Sequence, residues 1–192
     1  MTSTTVFRSS PGLGTIGAGD TRYAVCGQST SVAAAEADAQ HTVRQAGTFE
    51  KLWVKVITNS RTTASTVRFR KNGANGNQTI TIPALTTGEF EDTVNTDTVV
   101  AGDEVCWQIV GGLGGSALTI AVLQGHFAVS GNAYDPLFDT DGSSYGATAT
   151  RYFPAGGGGG ATTDETDVAL KAGMAGTLKN LPAGFKTKSA RI

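Results

Sequence analysis

A few glycine-bearing motifs and a handful of titratable side chains are the only places where this sequence could do chemistry. Residues 142–146 (GSSYG) fit the G-x-S-x-G pattern of a serine nucleophile held on a strand-to-helix turn. That chemistry needs a histidine further along the chain, and both histidines, His41 and His126, precede it. Residues 12–17 (GLGTIG) fit G-x-G-x-x-G, but no strand pattern leads into them and no amphipathic helix follows. The glycine run at 156–160 lacks the Lys-Ser/Thr of a phosphate loop. Asp139 and Asp141 open like a calcium loop, yet the twelfth position is Thr150, where an EF-hand needs a bidentate Glu. The two histidines form no H-x-H pair. Cys26 and Cys106 are too far apart for a zinc knuckle and read as two buried thiols in a reducing compartment, with a disulfide as the alternative. Each motif therefore reads as a turn or loop. The expectation is a protein with no catalytic, cofactor-binding or metal-binding residues, and not an enzyme.

What does recur is a framework. Residues 17–52 align without gaps on residues 146–181, at a constant offset of 151 − 22 = 129. Twelve of the 36 positions are identical, among them Arg22/Arg151, Tyr23/Tyr152, Gly47/Gly176 and Leu52/Leu181. Internal repeats are the mark of modular and fibrous architectures. The duplicated Arg-Tyr pair predicts a shared structural role: the tyrosine packs at a strand start, while the arginine bonds a carboxylate or a chain end. A full copy of residues 17–129 would extend to 129 + 129 = 258, so residues 146–192 read as an incomplete second repeat. Its strands would need completion by further chain or by a neighbouring subunit.

The elements around these residues read as strands. Residues 48–58 (TFEKLWVKVIT) place Leu52, Val54 and Val56 on one face and Trp53 and Lys55 on the other. Residues 66–71, 78–82, 89–94, 98–100, 104–110 and 118–129 continue the pattern, with Gly-rich turns between them. Two Asn-Gly pairs, at 72–73 and 75–76, suggest a long loop there. Residues 33–40 carry no apolar helical stripe and allow at most a short helical turn. The prediction is all-β: an antiparallel β-sandwich or jelly roll over 17–130. Residues 1–16 would be an N-terminal arm, 131–145 a junction and 146–192 the partial second copy.

Several residues carry a resemblance: Ala46, Gly47 and Thr48 with Leu52; the strand end Arg70-Lys71-Asn72-Gly73; Asp92 and Thr93 with Asn95; and Ala101-Gly102-Asp103 before a strand. Over about residues 40–128 the chain resembles a TNF-like, complement-type jelly-roll module of phage virion structural proteins and microbial surface proteins. The resemblance implies a non-enzymatic, self-associating module, often trimeric. It points to a decoration, fibre or fibre-anchoring protein of a tailed-phage virion, assembled in the host cytoplasm beside other virion proteins. There is no collagen-like stem and no secretion-signal pattern.

Composition agrees with an assembling part. Charged residues are 16% and the net charge is −1, which leaves no basic field for nucleic acid or for an anionic membrane. Arg61, Arg68, Arg70 and Lys71 are the densest basic group and read as a solvated or subunit-facing surface. A second reading is a carbohydrate-binding or adhesive sandwich in which Trp53 or Trp107 stacks on a sugar; in the alternative, both pack in the core or at an interface.

Overall fold

The computed structural model describes residues 14–27 and 32–130, together with the backbone of residues 2–9. Ten strands follow in order: β1 (Thr2–Ser9), β2 (Thr15–Ile16), β3 (Thr21–Ala24), β4 (His41–Thr42), β5 (Gly47–Asn59), β6 (Ser65–Lys71), β7 (Ala74–Ile82), β8 (Gly88–Val99), β9 (Glu104–Val110) and β10 (Leu118–Ser130). Between β3 and β4 there is one short 3₁₀ turn, Glu36–Asp38. The first sheet runs β1-β10-β5-β8, with β2 also on β10. The second runs β3-β9-β6-β7, with β4 also on β9. Every pairing is antiparallel. The chain changes sheet between β2 and β3, β4 and β5, β5 and β6, β7 and β8, β8 and β9, and β9 and β10. The result is an all-β, jelly-roll-like sandwich.

Period-two alternation builds the core. β5 buries Leu52, Val54 and Val56, β6 buries Val67 and Phe69, and β9 buries Val105, Trp107 and Ile109. β10 closes the other side with Leu118, Ile120, Leu123 and Phe127. Phe49 joins the sheets at one end of this layer, its ring 4.7 Å from Phe69 and 4.8 Å from Phe127. Burying a side chain of this size contributes about 1.5–3 kcal/mol.

Three local expectations differ from the structure. The turn between β6 and β7 is only two residues long: Lys71 pairs with Ala74, and Asn72 and Gly73 both have positive φ (51° and 77°). That is the mirror-image turn whose twist suits a hairpin. The second Asn-Gly pair lies inside β7. Residues 89–94 and 98–99 fall in one strand, β8, because pairing with β5 resumes on both sides of a bulge. Finally, much of the expected N-terminal arm, residues 2–9 and 15–16, lies in strands. β1 lies along β10 from Thr2↔Ser130 to Ser9↔Leu123, and Ile16 is fully buried, so the domain begins before residue 17.

The sandwich is sealed along the β7–β8 side by side chains instead of a ladder. Arg68 pairs with Thr79 but Arg70 with Asn75, so residues 76–78 bulge opposite Phe69. Asp97 of β8 is 5% exposed and fills that bulge. Its carboxylate accepts the backbone N–H groups of Asn77 (2.7 Å) and Gln78 (3.0 Å) and the Gln78 side-chain amide (3.2 Å). Gln78, also buried, accepts the N–H of Leu52. On β8 a matching bulge spans 93–95, opposite Lys51 at φ 52°. Asp92 fills this one, accepting from the backbone of Thr79, Val94 and Asn95 and from the Asn95 amide. Burial works against its ionisation, but the hydrogen bonds from Asn95, Thr79 and Val94 outweigh it and hold its pKa below the ordinary value.

Asp97→Ala would strand two backbone donors in the seam. We expect unfolding in urea to show a loss of about 2–4 kcal/mol, with Asp97→Asn losing less because one acceptor oxygen survives.

Candidate functional site

The strands place the two tryptophans differently. Trp107 is 1% exposed, in the middle of β9 with its ring in the core. It cannot stack on a sugar, so the contact reading is corrected for this residue. Trp53 lies on the opposite side of β5 from Leu52 and Val54, half-buried on the outer face of the first sheet. Its register neighbours are Gln124 on β10 and Glu91 on β8, and the Lys55–Glu89 ion pair (3.3 Å) lies one strand pair along. An indole flanked by an amide and a carboxylate can pack against a partner's apolar or saccharide surface.

The repeat framework sits at joints between segments. Arg22 donates to Asp20 at 2.8 Å. Tyr23 pairs with Gln108 in the ladder and accepts from its amide at 3.2 Å, while its backbone exchanges two hydrogen bonds with Ala33. Gly47 starts β5 against β10, where a Cβ would stand 2.6 Å from the Phe127 ring. Leu52 is wholly buried. Arg151, Tyr152, Gly176 and Leu181 lie outside the described residues. So do the serine motif at 142–146, Asp139 and Asp141, the junction 131–145 and the whole partial repeat 146–192.

The basic group is dispersed, with most of its members committed inside the fold. Arg61 is 1% exposed and donates to the carbonyls of Gly114 and Gly115 (2.9 Å each) and of Ile16. It thereby ties the loop between β5 and β6 to the loop between β9 and β10. Arg70 pairs with Glu36 of the 3₁₀ turn through two hydrogen bonds, at 3.0 and 2.8 Å. Lys71 reaches the Thr98 carbonyl, and Arg68 reaches Thr66.

Sequence reasoning missed one cluster. The Glu36 turn folds over the outer face of the second sheet, and the Cys106 thiol faces Glu36 at 3.9 Å. Burial, then the Glu36 charge, pushes the Cys106 thiol up to about 12. Burial also pushes up Cys26. At both cysteines burial disfavours the thiolate. Among the described residues no three His, Cys, Asp or Glu side chains gather as a metal site.

No family model matches the chain. No curated protein matches it. Among solved structures it is similar to dimeric latent PorU from Porphyromonas gingivalis, at 9% identity and a TM-score of 0.35. That likeness covers 66% of this chain and only 12% of the PorU chain.

His41, on β4, sets a pH dependence. Burial, then the nearby Arg44 charge, lowers its pKa from 6.5 to about 4. Between those values the unfolded chain binds more protons than the folded one, so stability falls as pH drops. Thermal unfolding should lose on the order of 3 kcal/mol of stability between pH 6.5 and 4. Much of that slope should vanish in His41→Gln.

Proposed function

We propose that this chain is a non-enzymatic structural protein of a tailed-phage virion: a decoration, fibre or fibre-anchoring protein built on a TNF-like, complement-type jelly-roll module. It is assembled in the host cytoplasm and ends in the virion, as a homo-oligomer beside other virion proteins. The observation that carries the reading is where the polar side chains go. Arg61, Ser65, Gln78, Asp92 and Asp97 are the buried polar residues among the described ones, and each is hydrogen-bonded to the backbone of its own fold. Among the described residues none of these polar groups stands with a second and third as nucleophile, base and orienting group. The jelly-roll order of the strands and the net charge of −1 support the same reading, since weak self-repulsion favours association.

The second reading, a carbohydrate-binding or adhesive sandwich, is favoured by one observation: the half-buried Trp53 on the outer sheet face between Gln124 and Glu91. Nucleic acid and membrane are not partners in either reading.

Sedimentation of the purified full chain, with cross-linking mass spectrometry on phage particles that carry it, tests the first reading. We expect an oligomer, and cross-links to neighbouring virion proteins. A monomer with no particle contacts overturns it. On a glycan array, signal that disappears in Trp53→Ala would favour the second reading instead.

A further inference from the structure

The buried polar side chains are spent on the fold, but one row on the outer face of the first sheet is not. Register sets Gln124 of β10, Trp53 of β5 and Glu91 of β8 side by side. At ordinary strand spacing the row is about 10 Å wide, the scale of a small saccharide. Among the described residues, no ion pair or hydrogen bond takes up the Gln124 amide, the Trp53 indole N–H or the Glu91 carboxylate. One step along the strands, Lys55 is already committed to Glu89 at 3.3 Å.

We propose that this row binds a neutral saccharide and selects it over acidic ones. The inference rests on the second reading above and names the ligand class of its Trp53 site. An indole offers an apolar plane for the C–H face of a sugar ring and a polar N–H at its edge. Glu91 accepts through two oxygens, which suits a pair of neighbouring hydroxyls; Gln124, on the other side of the ring, both donates and accepts. The charges set the selectivity. Glu91 adjoins the indole directly, whereas Arg8 holds the β1 position of the same row, two strands from Trp53. A ligand carboxylate or sulfate above the indole would therefore meet the Glu91 charge first, and like charges repel. A protein partner fits this surface less well. The core of a protein interface is depleted of charge, and here the indole is flanked by an amide, a carboxylate and an ion pair. The exposed aliphatic side chain of β5, Ile57, lies four residues further along, beyond Lys55.

The test is an array that carries neutral oligosaccharides beside their sialylated and uronic-acid counterparts, probed with the full chain. We expect signal on neutral glycans, with the acidic counterparts about 5-fold weaker or more. Trp53→Ala should lower the neutral signal about 10-fold. Glu91→Gln should weaken neutral binding about 3-fold and narrow the gap to the acidic glycans, a change in selectivity that a merely structural role would not produce. Thermal unfolding of each variant checks that the sandwich is intact. Wild type that prefers acidic glycans, or a neutral signal indifferent to both substitutions, overturns this site and leaves carbohydrate binding standing. No signal on any glycan overturns the second reading together with the site.

Discussion

The fold depends on two buried carboxylates that do the work of a missing ladder. β7 and β8 are neighbours in space but belong to different sheets, and their backbones do not pair. Without help, the N–H groups of residues 77–79, in and beside the β7 bulge, would have no acceptor, and buried donors left unpaired are costly. Asp97 and Asp92 accept all three. Gln78 extends the seam to the Leu52 N–H on β5, so both sheets are tied at one line. Carboxylates suit this role because they accept several hydrogen bonds at once and bind them more strongly than a neutral acceptor does. The hydrophobic layer sets the sheets face to face; the seam fixes their relative register at this side.

The same logic recurs at the loop end and over the second sheet. Arg61 brings a full charge into the interior, where carbonyl dipoles from the β9–β10 loop and β2 accept from its two terminal nitrogens. Ser60, Thr62, Thr63 and Ser65 stitch the same two loops through their hydroxyls. Over the second sheet, the Arg70–Glu36 pair pins the 3₁₀ turn, whose carboxylate also faces Cys106. Among the described residues these polar groups are spent on the fold's own backbone and loops.

Much of this was legible in sequence because period-two alternation is a local property. The β5, β6, β9 and β10 faces follow from it directly. The seam was not legible, because a bulge filled from another strand leaves no local periodicity to read. Asn75-Gly76 shows why. It has the composition of a hairpin turn, yet Gly76 is needed for a different reason: a Cβ there would stand 2.7 Å from the Asp97 carboxylate. Glycine reports close approach as well as positive φ, and only the partner strand tells the two apart. β1 was missed for a related reason. Small polar residues with little alternation look like a leader, and their place is set by the edge of β10. Trp107 and Trp53 both sit in strands, and strand membership alone could not say that one ring faces inward and the other out.

The framework shared by residues 17–52 and 146–181 gains physical content from the contacts of the first copy. Tyr23 needs Gln108 on β9, Glu36 needs Arg70 on β6, Gly47 needs the Phe127 surface on β10, and the Leu52 N–H needs Gln78 on β7. Every one of those partners lies in residues 70–127, beyond the repeated stretch. The repeat unit is therefore not self-sufficient: it supplies strands and docking residues whose counterparts are provided by the rest of a sandwich. The Arg22–Asp20 pair is the exception, local to the segment, and the position matching Asp20 is Ala149, so that contact is not duplicated. What the two copies keep in common includes Tyr23, Glu36, Gly47 and Leu52, which face a sandwich body.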